Sequence, residues 1–161
     1  MTWTLLIATH AFAAAVALTL GAWQLFFSTK GNRQHRLAGR TWVALMLYVS
    51  ITSFWIRDLR DGAFSFLHVL SVVTIVTVTL GVVGAVRGNI QSHRGNMTGS
   101  WIGLLFAFVF AVAIPDRHIP TFVVSEPLQA SAAAASVLLT TIVVVGLARS
   151  LPQVRQERIA S

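Results

Sequence analysis

Long apolar runs separated by short polar segments set the architecture of this chain. Five runs stand out, approximately Trp3–Phe27, Trp42–Ile56, Ala63–Val86, Thr98–Ile114 and Leu128–Ala148. A transmembrane helix needs about 20 apolar residues, so each run predicts a span. The second is short as written. It reaches that length only if its helix starts near Leu37 or before, drawing in Gly39 and Arg40 and placing His35 in or beside the first turn. Pro115 and Pro120 are expected to break the chain after the fourth run, and Pro152 to stop the fifth. The fold class that follows is an all-α integral membrane protein of five transmembrane helices.

Composition agrees. Of 161 residues, 55% are hydrophobic and only 11% charged, which is unlike a soluble domain of this length. We read residues 1–161 as a single membrane domain surrounded by lipid. Met1-Thr2-Trp3-Thr4 lacks the basic start of a signal peptide, so the first segment is expected to remain as a helix. There is no cysteine, which excludes disulfides, thiolate iron–sulfur ligation and c-type haem attachment.

The net charge of +7 raises nucleic acid as a partner, but its distribution argues against it. Lys30, Arg33, Arg36, Arg40, Arg87, Arg94, Arg149, Arg155 and Arg158 fall in the first and third connections and the tail. Only Arg57, Arg60 and Arg117 lie in the second and fourth, beside Asp58, Asp61, Asp116 and Glu126. Positive loops stay inside, so the N-terminus is expected outside and the C-terminus in the cytoplasm of a bacterial inner membrane.

An internal repeat is superimposed on the spans. His10 and His35 are 25 residues apart, as are His68 and His93. Lys30-Gly31-Asn32-Arg33-Gln34-His35-Arg36 resembles Arg87-Gly88-Asn89-Ile90-Gln91-Ser92-His93-Arg94 with one residue inserted, and Thr19-Leu20-Gly21 matches Thr79-Leu80-Gly81. Repeat 1 covers about 3–57 and repeat 2 about 63–115, giving two parallel hairpins and a four-helix core. The fifth helix, about 128–149, is peripheral, and its Ala130–Ser136 segment suits close packing on the bundle or between protomers.

The histidines sort by depth into an outer pair, His10 with His68, and an inner pair, His35 with His93, on the order of 20–25 Å apart from the helical rise. Ionisable side chains inside a membrane are costly and point to function. Two imidazoles per level are too few for zinc, which takes three or four protein ligands, but suffice for the axial positions of haem iron. The expected cofactor is haem b, two per chain, ligated by His10/His68 and His35/His93.

A flat macrocycle clamped between helices needs small residues beside it, and such positions follow the ligands at helical spacing: a groove of Ala14, Ala17, Gly21 and Gln24 after His10; Gly39, Trp42 and Met46 after His35; Ser71, Ile75 and Thr79 after His68. Arg36, Arg40 and Arg94 could pair with inner propionates, and Arg57 or Arg60 with outer ones. The plainer readings are that His35 and His93 are solvated at an interface and that the small face of the first helix is ordinary packing. His118 has no repeat counterpart and reads as a solvated loop residue.

At these residues the chain resembles the bacterial membrane-protein family catalogued as domain of unknown function 2306, over about residues 5 to 115. Its pattern of a first-helix histidine, His-Arg-x-x-Gly-Arg, Phe-Ser-x-x-His-x-x-Ser and His-Arg-x-x-Met reads here as His10, His35 to Arg40, Phe64 to Ser71 and His93 to Met97. The arrangement also resembles the cytochrome b561 class, whose four-helix core holds one haem near each face. That resemblance implies ligands from alternate helices, His10 with His68 and His35 with His93.

Three functions follow. The first is a transmembrane b-type cytochrome, a membrane oxidoreductase carrying electrons between a donor and an acceptor, with a quinone or another small redox substrate as partner. The second is a haem-free histidine-based proton or ion transport protein. The third is an accessory subunit, a homodimer or part of a redox complex, whose bundle only packs against its partner. On the predicted topology, a reporter fused after Ser161 behaves as cytoplasmic and one inserted near Glu126 as external. A tail found outside reverses the orientation.

Overall fold

Polar residues that cap the helices decide where each span begins. The structure is a computed structural model and describes residues 4–56, 65–114 and 118–150. Helix α1 is Leu5–Phe26, with the Thr4 hydroxyl accepting from the backbone N–H of Ile7. Helix α2, Arg33–Thr52, continues as a 3-10 turn over Ser53–Trp55. Helices α3 (Phe66–Val86), α4 (Ile90–Ala113), α5 (His118–Ser125) and α6 (Pro127–Ser150) complete the order. All but α5 are long and apolar enough to cross a membrane. The all-α membrane architecture expected from the apolar runs is therefore what the protein adopts.

The repeated Gly-Asn dipeptide does the same local work twice. Gly31 and Gly88 adopt positive φ, 79° and 74°, which a side chain would disfavour. Asn32 and Asn89 follow as N-caps, their side chains accepting from His35 N and Ser92 N. Asparagine at that position satisfies a backbone donor that the helix itself cannot. Helix α2 thus starts early enough to take in Gly39 and Arg40, and α4 starts eight residues before the apolar run at Thr98. Its polar first two turns carry no hydropathy signal.

Helix α1 packs on α2 and α3 on α4, while α2 meets α3 and α1 meets α4, closing a four-helix ring with α1 and α3 on one diagonal. Helix α6 lies over α1 and α2. It is held by the Thr19–Thr141 hydroxyl pair at 2.8 Å and by the Arg149 guanidinium 5.6 Å from the Trp23 ring centroid. Its residues 131–136 are exposed, so that small-residue segment does not pack on the bundle. The contact uses Val137, Thr141, Val144, Val145 and Ala148 instead. Helix α5 occupies a stretch expected to be loop. Pro120 is tolerated because it falls in the first turn, where backbone donors have no helical partner.

The bundle is fastened at mid-depth by two tryptophans from corresponding parts of the repeats. Trp42 Nε1 donates to the Ala17 carbonyl at 2.9 Å, and Trp101 Nε1 to the Leu18 carbonyl at 3.0 Å. Both indoles converge on Gly21, where a Cβ would stand 2.6 Å from Trp42 Nε1 and closer still to Trp101 Cδ1. Gly21 was expected to clear space for a macrocycle; its clearance is taken by these rings. Gly21→Ala should therefore cost about 1–3 kcal/mol through overpacking, seen as a lower thermal unfolding midpoint in detergent. An unchanged midpoint contradicts the fastening.

Candidate functional site

The arginine-rich end of the bundle brings His35 and His93 together. His35 is the third residue of α2 and His93 the fourth of α4. Their ring centroids are 6.3 Å apart and their planes stand at 87°. His93 Nδ1 lies 2.9 Å from the Gly81 carbonyl oxygen, which can only accept, so Nδ1 carries the proton. A Cβ on Gly84 would meet His93 N at 2.8 Å, so this glycine lets the first turn of α4 come down onto α3. His35 Nδ1 lies 3.3 Å from Ser28 Oγ, which is also within 3.2 Å of the Gln24 carbonyl. The carbonyl partner of His93 leaves its lone pair on Nε2.

The one-residue insertion in the second repeat explains why the partners differ. One extra residue turns a helical side chain by about 100°, so His35 finds a hydroxyl and His93 a carbonyl. Both still reach back to their own hairpin. Lys30 Nζ closes the end of α1 by donating to the carbonyls of Gln24, Leu25 and Ser28. Arg36 Nη1 donates to the Gly31 carbonyl at 2.7 Å and so fastens its own turn. Arg40 and Arg94 are exposed. Arg57 and Arg60 lie outside the described residues.

At the opposite end the outer pair is held differently. His10 Nδ1 is 2.9 Å from Thr52 Oγ1, a hydroxyl that also lies 2.7 Å from the Tyr48 carbonyl. His68 is the third residue of α3, and its Nδ1 accepts the Ser65 backbone N–H at 3.0 Å, with Ser65 Oγ at 3.1 Å. This is a capping box with histidine where glutamate or glutamine is usual. The turn ending α2 links the two: Thr52 touches His10, Ser53 Oγ donates to Ser71 Oγ at 2.7 Å, and the Phe54 ring lies 5.9 Å from that of His68. The buried stripe below His68 is Ser71, Thr74, Val78 and Gly81. Thr79, expected on that stripe, is exposed. His118 opens α5 rather than sitting in a loop.

The separation of the inner rings matches that of two imidazoles sharing one metal ion. A metal about 2.0–2.1 Å from each Nε2 holds two imidazole centroids roughly 6.3 Å apart. Beside the pair, Gln24 is 8% exposed, and its Oε1 has no hydrogen-bond partner among the described residues. A buried acceptor left unmade is costly, and a bound group carrying a donor would satisfy it. Among the described residues no three His, Cys, Asp or Glu side chains gather in a way that could hold a bare metal ion. The outer pair does not fit in the same manner, because the nitrogen that would carry the orienting proton in His68 is an acceptor.

Ser28, Thr52, Ser65 and the Gly81 carbonyl were not identified as anchors from sequence. Ser65 had a signal, because a serine three residues before a histidine at the start of an apolar run is a capping spacing. The others depend on which faces meet.

This geometry defines a class: a five-span, all-α membrane protein with an internal repeat in its sequence and one pair of histidine rings meeting at its arginine-rich end. The family model described as Predicted membrane protein (DUF2306) matches residues 7–149, and the chain belongs to that family. Neither a curated protein nor a solved structure gives a significant match.

Proposed function

We propose that this protein is a membrane b-type cytochrome that exchanges electrons through a haem held by His35 and His93. The observation that carries the reading is the paired rings, 6.3 Å apart and perpendicular, each with Nδ1 in a hydrogen bond to its own hairpin and that of His93 donating. An imidazole whose Nδ1–H is held by an acceptor is fixed in orientation and made more basic at Nε2, the usual outer-shell device for a metal ligand. A haem bound there would supply reversible one-electron exchange.

The chain's own contribution is positional and electrostatic. The Gly81 carbonyl sets the tautomer of His93, and Ser28 holds Nδ1 of His35. Both histidines lie in the first turns of α2 and α4, where the positive ends of the helix dipoles converge. With Lys30, Arg33 and Arg36 nearby in the chain, that field favours the state carrying the additional electron. A quinone or another small redox molecule is the proposed partner class, and the bacterial inner membrane, arginine-rich face in the cytoplasm, the proposed location. The rival reading, haem-free proton transport, draws on the hydrogen-bonded hydroxyls around His10, but it leaves the geometry of the inner pair without a purpose.

Expression with ample haem, purification in detergent and absorption spectroscopy test the proposal. The wild type should show a Soret band that His35→Ala and His93→Ala abolish, while His118→Ala leaves it intact. Ser28→Ala should weaken haem retention by about 10-fold, the lower end for loss of an outer-shell partner. Wild-type protein without a Soret band rules the cytochrome out.

A further inference from the structure

His68 and His93 carry opposite tautomers. Neutral imidazole has one N–H and one lone pair. A backbone N–H can only donate, so the bond from Ser65 N makes His68 Nδ1 the lone-pair nitrogen and puts the proton on Nε2. His93 is the reverse, with Nδ1 donating to the Gly81 carbonyl. A histidine that ligates through Nε2 must free that nitrogen of its proton, and Nδ1 must then donate. His68 could do so only by giving up the bond that caps α3.

We infer that the chain holds a single iron site, at the arginine-rich end, and that His68 is a helix-capping residue fixed in the tautomer that does not ligate. This rests on the reading of His35 and His93 as iron ligands. It departs from the two-haem arrangement that the duplicated spacing implied.

The repeat explains how the spacing misleads. It duplicates the hairpin, and a histidine recurs near the start of each descending helix. In repeat 1 that histidine is the sixth residue of α1, past the cap, and a threonine caps instead. In repeat 2 it is the third residue of α3 and performs the capping itself. Equal separation from the inner histidine therefore does not give equal chemistry. With one site near one face, electrons enter and leave by that face, and the bundle is not a wire across the membrane.

His68→Gln separates capping from ligation. Glutamine at the third helical position presents Oε1 to the cap N–H and keeps donors at its tip, but has no imidazole. One haem per chain is expected in both wild type and His68→Gln, with an unchanged unfolding midpoint, while His68→Leu should lower that midpoint. Nitrogen-15 shifts of haem-free protein should place the proton of His68 on Nε2 and that of His93 on Nδ1. Two haems per wild-type chain, falling to one in His68→Gln, would overturn the inference, as would a proton on His68 Nδ1. If the wild type takes up no haem, the inner-pair reading fails, and the nitrogen shifts still decide whether His68 is a cap.

Discussion

Two indole N–H groups donating to consecutive carbonyls of α1 are the constraint on which the rest of the bundle depends. Lipid is as apolar as a leucine side chain, so burial alone gives membrane helices little reason to associate. Directed bonds and close packing must hold them. Trp42 from α2 and Trp101 from α4 reach Ala17 and Leu18 from different sides, and only a glycine at position 21 leaves both rings room. These bonds fix the heights of α2 and α4 relative to α1. His35 lies seven residues below Trp42 and His93 eight below Trp101, so fastening the tryptophans delivers both imidazoles to one level.

Around that fastening, polar side chains are used economically and mostly in pairs. Thr77 with Ser100 joins α3 to α4, Thr19 with Thr141 joins α1 to α6, and Ser53 with Ser71 joins the end of α2 to α3. Many other hydroxyls turn back on carbonyls of their own helix, which satisfies them without an interhelical partner. Gln24 Oε1 is buried at the level of His35, and nothing among the described residues donates to it. The expense of that acceptor makes sense where a ligand belongs.

Much of the fold was legible in the sequence. Apolar run length gave the five spans, and the Gly-Asn repeat marked the two helix starts that hydropathy placed late or left short. What hydropathy could not show was α5, too short to span, and the first turns of α4, which are polar. The meeting of His35 with His93 was an expectation that the four-helix ring satisfies, by bringing the first turns of α2 and α4 toward each other across its diagonal. The partners of the rings were not legible, because Ser28 and the Gly81 carbonyl become neighbours only once each hairpin closes. Reading the small face of α1 as a cofactor groove failed at Gly21 for a related reason. Small residues mark close approach, and the sequence does not say whether an indole or a ligand approaches.

Under the proposed function, His35 and His93 together grip one iron with their imidazole planes perpendicular. Low-temperature electron paramagnetic resonance of the oxidised, haem-loaded protein tests it most directly, because a low-spin bis-imidazole iron reports the angle between its two ligand planes. The 87° between the rings predicts a strongly anisotropic low-spin signal with a single large g component dominating. A rhombic signal of the kind given by parallel planes, or a high-spin signal from iron with one protein ligand, would contradict it.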